Sequence, residues 1–246
     1  MMNKKEPTIW LINDYKLSRD SWWFQLGIPA TLNFQEFFTL YQKEEKIEQE
    51  TQQLKSMTKK IIEINNIYFK HEMLSPDILP HTMYADFQVL YAAFPRENLA
   101  LIPPVFAVSD KYIMITEPLL RVLQNFRLGS TQISPVRLRE QTTHELLSEQ
   151  TYYFINVCER YNFLSPKDSD QSLKPITIGE SNIYFRPNSR DEAKRFCFSR
   201  QALDCPVDIW HDPLMTYSVF LSDPLYQAIH AAGLDKDISL FSCHLA

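Results

Sequence analysis

A segment that occurs twice places the strongest constraint on the fold of this chain. Its two copies are residues 113–138 and 219–245. Each copy consists of an apolar run ending at Thr or Ser, an acidic residue, a proline, an amphipathic stretch, a glycine and a second apolar run. A hydroxyl residue followed by an acid and an early proline is the usual start of a helix. The repeat therefore predicts two strand–helix–strand units, which would build two related lobes.

The alignment of the two copies shows which residues correspond. With one gap, Thr116–Leu119 aligns with Ser222–Leu225, and Ile133 aligns with Ile238. We therefore expect Thr116 and Ser222 to lie at equivalent helix starts.

The other apolar runs favour strands over helices. Residues 9–12 form a short apolar run between turn residues, and several runs interrupted by prolines, among them I-Y-F, lie between residues 62 and 108. The polar stretch 140–150 is interpreted as a linker. We therefore predict an α+β fold of mostly antiparallel sheets with a few helices, divided into an N-terminal lobe (1–140) and a C-terminal lobe (141–246).

The clearest single helix is predicted over residues 35–62. This stretch has no Gly or Pro and is rich in helix-forming residues, and Leu40, Ile47, Leu54 and Ile61 recur every seven residues. One apolar stripe on a charged helix is typical of a helix that packs on one side and is solvated on the others. The alternative is a short coiled coil that joins two copies of the chain into a homodimer.

Glycine is scarce, with only four residues in 246, whereas the average usage is about 7%. No two of them are close together, so the chain has no glycine-rich dinucleotide loop, no Walker-type phosphate loop and no nucleophile elbow. Gly129 and Gly233 fall just after the two predicted helices. A residue with positive φ commonly ends a helix, and we expect both glycines to do so.

Negative charge is concentrated near the C-terminal end. Residues 201–246 hold one lysine and six aspartates, and this difference of −5 equals the net charge of the whole chain. Such a balance does not favour nucleic-acid binding. The N-terminal residues lack the apolar core of a signal peptide, and no apolar stretch is long enough for a membrane span. We expect a cytoplasmic protein without membrane contact, whose four cysteines are reduced thiols.

No pattern predicts catalysis or a cofactor. The six histidines include no pair three or four residues apart, and the cysteines lack the spacing of a zinc site. No serine or cysteine is framed by small residues in a sharp turn. We therefore predict no catalytic residues, no metal and no cofactor.

An aspartate-rich tract is the most distinctive candidate site. Asp204, Asp208 and Asp212 recur every four residues without a basic neighbour, and Trp210 and His211 lie among them. This spacing would place three unpaired carboxylates on one face of a strand. Three interpretations are open: an exposed loop of turns, a binding surface for a basic protein, and a site for a divalent cation.

The adjacent residues Trp22 and Trp23 are a second candidate. Neighbouring residues on a strand face opposite sides, so one of the two rings would lie near the surface. The rings would either complete the core or contact a partner. Together with the five residues of the aspartate tract, they form our set of candidate partner-binding residues.

Several short motifs occur in the same order as in a known family. Besides the two helix starts, they are Pro135–Leu138, Tyr152–Val157, Phe220–Pro224 and Ala231–Leu234. Residues 105–246 thus resemble the immunity proteins of bacterial polymorphic toxin systems, whose reference member is the myxobacterial immunity-protein domain. That family tends to have Ser-Glu without proline at its helix starts, whereas this chain has Pro118 and Pro224.

The resemblance implies a toxin inhibitor, not an enzyme. Such a protein binds a cognate toxin in the cytoplasm of the producing cell and protects that cell during bacterial competition. Many of these toxins are basic, and the acidic end of the chain would suit a basic partner. The residues alone leave two other functions open: a hydrolase or transferase with a site between the lobes, and an adaptor or structural protein that dimerises through residues 35–62.

Overall fold

The computed structural model describes residues 6–15, 24–27, 59, 62–85, 102–108, 112–140, 143–178 and 181–246. Their helices and mostly antiparallel sheets confirm the α+β prediction. The chain divides into two compact units: unit 1 comprises residues 1–16, 118–131 and 157–246, and unit 2 comprises residues 17–117 and 132–156. The predicted helix 35–62 lies almost entirely outside the described residues, as does its coiled-coil alternative.

The bounds of the described elements are as follows. The strands are β1 (Ile9–Tyr15), β2 (Phe24–Gly27), β3 (Thr82–Ala85), β4 (Val105–Val108), β5 (Tyr112–Thr116), β6 (Gln132–Glu140), β7 (Leu146–Asn156), β8 (Ile176–Ile178), β9 (Ser181–Ile183), β10 (Cys197–Phe198), β11 (Ile209–Trp210), β12 (Val219–Ser222), β13 (Ile238–Ser242) and β14 (His244–Leu245). The α-helices are α1 (62–69), α2 (Glu117–Leu123), α3 (Arg190–Ala193) and α4 (Asp223–Ala231), and 3-10 helices span Pro76–Ile78, Arg200–Asp204 and Asp235–Asp237.

Unit 2 is built on a six-stranded sheet with the order β2-β3-β6-β7-β5-β4. All neighbours are antiparallel except β3 and β6. Helix α1 contributes Ile64 and Tyr68 to the same buried cluster as Phe106, Met114 and Phe154 of the sheet. Burying such large side chains is the main stabilising term for a sheet of this size.

Unit 1 is built on a four-stranded sheet with the order β11-β12-β1-β13. One face of this sheet presents Ile9, Leu11, Trp210 and Phe220 to a buried cluster, which Phe198 of β10 also joins. Helix α4 contacts β1 and β12 and buries Leu225 and Ile229. The sheet therefore separates the buried cluster from a layer that contains α4.

Both predicted strand–helix–strand units are present. They consist of β5, α2 and β6 in the first copy and of β12, α4 and β13 in the second. In each copy the two strands run parallel, and a third strand lies between them, antiparallel to both: β7 between β5 and β6, and β1 between β12 and β13. Residues 118–131, which hold most of α2, are grouped with unit 1.

The two central strands correspond residue by residue. In unit 1, residues 9 to 12 of β1 lie opposite residues 222 to 219 of β12. In unit 2, residues 152 to 155 of β7 lie opposite residues 116 to 113 of β5 in the same way. Trp10 of β1 therefore corresponds to Tyr153 of β7. The correspondence extends to side chains on the same face: Trp10 Nε1 donates to Asp223 Oδ1 over 2.8 Å, and the Tyr153 hydroxyl donates to Glu117. Trp10 and Tyr153 therefore hold the first acidic residue of equivalent helices.

The position of these central strands in the chain was not expected. β1 precedes the first copy but lies in the sheet of the second, and β7 precedes the second copy but lies in the sheet of the first. The strand that precedes each copy in the chain thus lies in the sheet of the other copy. The outer strands β4 and β11 are also equivalent. The N–H of Thr116 donates to the carbonyl of Pro104, just before β4, and the N–H of Ser222 donates to the carbonyl of Asp208, just before β11, each over 3.0 Å.

Three predictions about local structure were wrong. The run I-Y-F at 67–69 is the end of α1, because short apolar runs do not distinguish a strand from a buried helix. The stretch 140–150 is not a linker. It contains the last residue of β6 and the first five residues of β7, and these two strands pair where Arg139 lies opposite Leu146. Ile133 corresponds to Leu240 rather than to Ile238. Ile133 lies opposite Ile155 of β7, and Leu240 lies opposite the equivalent residue of β1, Ile12.

The two compact units also differ from the continuous lobes 1–140 and 141–246 that we expected. The N-terminal strand β1 belongs to unit 1 because it pairs with β12 and β13, and β7 belongs to unit 2 because it pairs with β5 and β6. Strand pairing between distant segments, and not proximity in sequence, decides the division.

Only one of the two glycines predicted to end a helix does so, although both have positive φ. Gly233 follows the C-cap residue of α4, whereas Gly129 lies in the turn Leu128–Thr131, well after the last residue of α2. Gly129 has φ of 59° and Gly233 has φ of 72°. All four cysteines are free thiols, as predicted. Within the described part of the chain, no helix is long and apolar enough to cross a membrane.

Candidate functional site

The described part of unit 1 contains an open cavity of about 450 Å³ that could bind a partner. Its walls are Trp10 of β1, Arg190 of α3, Tyr226 of α4 and Asp235, and its length follows β13 from Ile238 to Ser242. We call it the β13 groove.

The aromatic wall of the β13 groove is fixed by contacts within unit 1. The rings of Trp10 and Tyr226 stack with centroids 3.5 Å apart and planes at 19°, and the Trp10 indole is anchored by its bond to Asp223. On its next turn, α4 carries His230, which also stacks on Tyr226. A stacked pair of aromatic rings with an anchored indole is a rigid surface that loses little entropy on binding.

Two acidic residues, Asp235 and Asp223, lie close to Tyr226. Asp235 Oδ2 is 2.7 Å from His230 Nδ1, so this carboxylate is already paired. Burial, together with the charges of Asp235 and Asp223, raises the pKa of Tyr226, so the phenol remains protonated at neutral pH. The wall therefore offers a neutral hydroxyl and a paired carboxylate.

Arg190 supplies the positive charge of the β13 groove. It is the first residue of α3, whose cap is the Ser189 side chain accepting the N–H of Glu192. Arg190 is exposed, and no hydrogen bond or ion pair joins its guanidinium to any other residue that the structure describes. It is thus available to a carboxylate or another anion, which a planar guanidinium binds with two parallel hydrogen bonds.

The aspartate tract has a different structure from the predicted one. Asp204 is exposed, but Asp208 and Asp212 are only 4% and 1% exposed. The prediction of three unpaired surface carboxylates was therefore wrong for two of the three. Trp210 has no exposed surface, and His211 is buried with its Nδ1 donating to the Ser218 carbonyl. In this structure, these buried side chains are out of reach of a partner.

Asp208 is buried because it holds the turn after α2. Its carboxylate accepts the backbone N–H of Arg127 over 2.9 Å, two guanidinium bonds from the same residue over 3.1 Å each, and the Ser222 hydroxyl over 2.7 Å. Burial alone would raise the pKa of Asp208, but these hydrogen bonds outweigh it and lower the pKa. The residue is therefore a charged structural link in unit 1.

Asp212 organises a loop in the same way. Its carboxylate accepts the N–H groups of Phe163 and Leu164 over 2.7 Å each and that of Leu214 over 2.9 Å. Burial raises the pKa of Asp212, whereas the three backbone donors act in the opposite direction. Three donated N–H groups explain how a carboxylate can be buried without a cation beside it.

Trp22 and Trp23 lie outside the described residues, so their predicted role stays a prediction. Sequence reasoning missed the residues of the β13 groove. Trp10 and Tyr226 are far apart in the chain, and only the pairing of β1 with β12 brings them together. The one available signal was Tyr226 and His230, which lie four residues apart on a predicted helix.

Among the described residues, no three His, Cys, Asp or Glu side chains lie close enough together to hold a metal ion. The chain was also compared with known proteins. No protein-family model matches it, and no curated protein matches it either.

Proposed function

We propose that this chain is an immunity protein, which binds a cognate bacterial toxin in the cytoplasm and blocks it. The β13 groove is the observation that carries the proposal. It brings together Trp10, Tyr226 and Arg190, the three residue types that contribute most often to the energy of protein–protein interfaces.

Two further observations support a protein partner. Both strand–helix–strand units, which carry much of the family resemblance, occur with equivalent pairing. Residues 201–246 carry one lysine and six aspartates. Asp208 and Asp212 are buried, but Asp204 is exposed, so part of this negative charge lies at the surface, where it would accelerate association with a basic toxin.

The test uses the protein encoded by the neighbouring reading frame. We expect that its expression alone arrests growth and that co-expression of this chain restores it. We also expect the two purified proteins to elute together in size-exclusion chromatography. Growth arrest that this chain does not relieve, or a harmless neighbour that does not bind, would contradict the proposal.

Matched variants connect the growth assay to the groove. Tyr226→Ala should weaken binding at least tenfold, because truncating a central aromatic residue of an interface commonly costs more than 1.4 kcal/mol. Lys194→Ala removes an exposed cation just after α3 that contacts only Asp191 among its described neighbours, and should leave binding unchanged. Equal effects of the two substitutions would place the interface elsewhere.

A further inference from the structure

The β13 groove follows the edge of a strand, as its lining shows. All five consecutive residues of β13, from Ile238 to Ser242, line the cavity. Side chains alternate between the two faces of a strand, so a cavity over one face would be lined by every second residue. Contact with every residue requires the cavity to run along the backbone.

The backbone groups on this edge can be assigned from the register. β13 lies at one end of the sheet order β11-β12-β1-β13. Leu11 lies opposite Phe241, and the N–H of Cys243 bonds the Ile9 carbonyl over 2.9 Å. In an antiparallel pair, alternate residues bond the same neighbour. The N–H and C=O groups of Leu240 and Ser242 therefore point away from β1, and no described residue bonds them.

The residues of this edge lack the side chains that commonly block strand pairing. β13 has the sequence I-S-L-F-S, without the lysine, proline or inward-pointing charge that protects many edge strands. The exposed guanidinium of Arg190 lies in the same groove, and the stack of Trp10 and Tyr226 forms an apolar wall. The edge thus combines backbone donors and acceptors with one cation and one apolar surface.

We propose that β13 binds an extended segment of a partner protein as an additional strand, with an acidic side chain of that segment on Arg190 and an apolar one against Trp10 and Tyr226. Main-chain bonds to Leu240 and Ser242 would supply affinity, and the side-chain contacts would supply selectivity. The chemistry of the segment follows from the groove. Only the identification of the partner as a toxin rests on the proposed function.

Hydrogen exchange of the free chain tests whether the edge is open. We expect the Leu240 and Ser242 amides to exchange at least a hundredfold faster than the Phe241 amide, which faces β1. Protection of all three amides in a monomer would show that the chain covers its own edge. Protection that appears only as the concentration rises would show that a second copy pairs there. Either result overturns the proposal.

A peptide probe tests strand addition directly. The probe is a capped peptide of about seven residues in which valine and glutamate alternate. Two control peptides have the same sequence, one N-methylated at every valine and the other at every glutamate. Only one set of peptide amides can face β13. One N-methylated control should therefore bind at least tenfold more weakly than the probe, and the other should bind within twofold of it. Any other result contradicts strand pairing. Replacing glutamate with lysine should weaken binding, and Arg190→Ala should abolish this preference.

Substitutions in β13 connect the edge to the partner. Ser242→Pro removes an N–H that points away from β1 and leaves the pairing with β1 intact, as prolines on edge strands do. It should weaken binding of the neighbouring gene product at least tenfold, whereas Ser242→Ala should not. If the wild-type chain binds that product and both variants bind it equally well, strand addition is wrong and the proposed function stands. If the wild-type chain binds only the peptide, the proposed function is wrong and strand addition stands.

Discussion

Gly129 and Gly233 offer a matched measurement of one close contact. Both have positive φ and both lie in unit 1, but their surroundings differ. A Cβ on Gly129 would lie 2.2 Å from Glu159 Oε1, whereas a Cβ on Gly233 would have no atom within 4 Å. Replacing each glycine with alanine therefore adds the same backbone strain, and only Gly129→Ala adds a collision.

The magnitudes follow from the contacts. The left-handed conformation costs alanine about 1 to 2 kcal/mol. In Gly129→Ala, Glu159 must also move, and its Oε1 loses the Ser130 N–H at 2.7 Å and the Ser130 hydroxyl at 2.8 Å. These bonds are at the surface, so their loss adds about 1 kcal/mol. We expect Gly129→Ala to destabilise the protein by about 2 to 3 kcal/mol and Gly233→Ala by about 1 to 2 kcal/mol.

Urea unfolding of four variants measures the difference, namely the two single substitutions, Glu159→Ala and its combination with Gly129→Ala. In the Glu159→Ala background, Gly129→Ala should cost no more than Gly233→Ala. The Ser130 N–H lowers the pKa of Glu159 in the folded protein. The stability that it contributes is therefore present above the ordinary carboxyl pKa and is lost as the pH falls through the folded-state value. Equal costs of the two glycine substitutions at neutral pH would refute the reasoning.

Three further predictions concern unit 1 and the exchanged strands. Arg127→Ala should lower stability only modestly, since its guanidinium is largely exposed, and the loss should fade in acid as Asp208 becomes protonated; urea titrations at several pH values measure it. The buried Trp210 Nε1 has no acceptor among the described residues, so Trp210→Phe should cost about 1 to 2 kcal/mol in thermal unfolding, less than Trp210→Ala at about 3 to 5. Fragments 1–140 and 141–246 should each lack cooperative unfolding by circular dichroism and regain it when mixed, because each lacks the central strand of its sheet.

Local chemistry explains what the sequence could predict. Ser222, Asp223 and Pro224 give the start of α4 because a cap, a charge and a fixed φ all act within one turn. Gly233 marks the end of α4 for the same reason. These signals depend on a few neighbouring residues, so both strand–helix–strand units could be predicted without an alignment.

The aspartate tract shows where this kind of reasoning fails. A spacing of four suggested an exposed row, but Asp208 and Asp212 are buried by partners that come from Arg127 and from residues 163 and 164. Such partners are more than forty residues away, and nothing near the aspartates indicates them. The charge that we assigned to a binding surface serves in part to hold loops together, which leaves Asp204 as the exposed member of the tract.

The exchange of β1 and β7 explains why the β13 groove could not be found from either repeat alone. Trp10 forms its wall only because β1, which precedes the first copy in the chain, lies in the sheet of the second copy, next to β13. In unit 2, the equivalent Tyr153 bonds Glu117 in the same way, but the equivalent of β13 is β6, which is paired on both sides, with β3 and with β7. The same fold thus has its corresponding edge occupied in one unit and open in the other. In unit 2, β3 thus occupies the position beside β6 that the proposed partner strand would take beside β13 in unit 1.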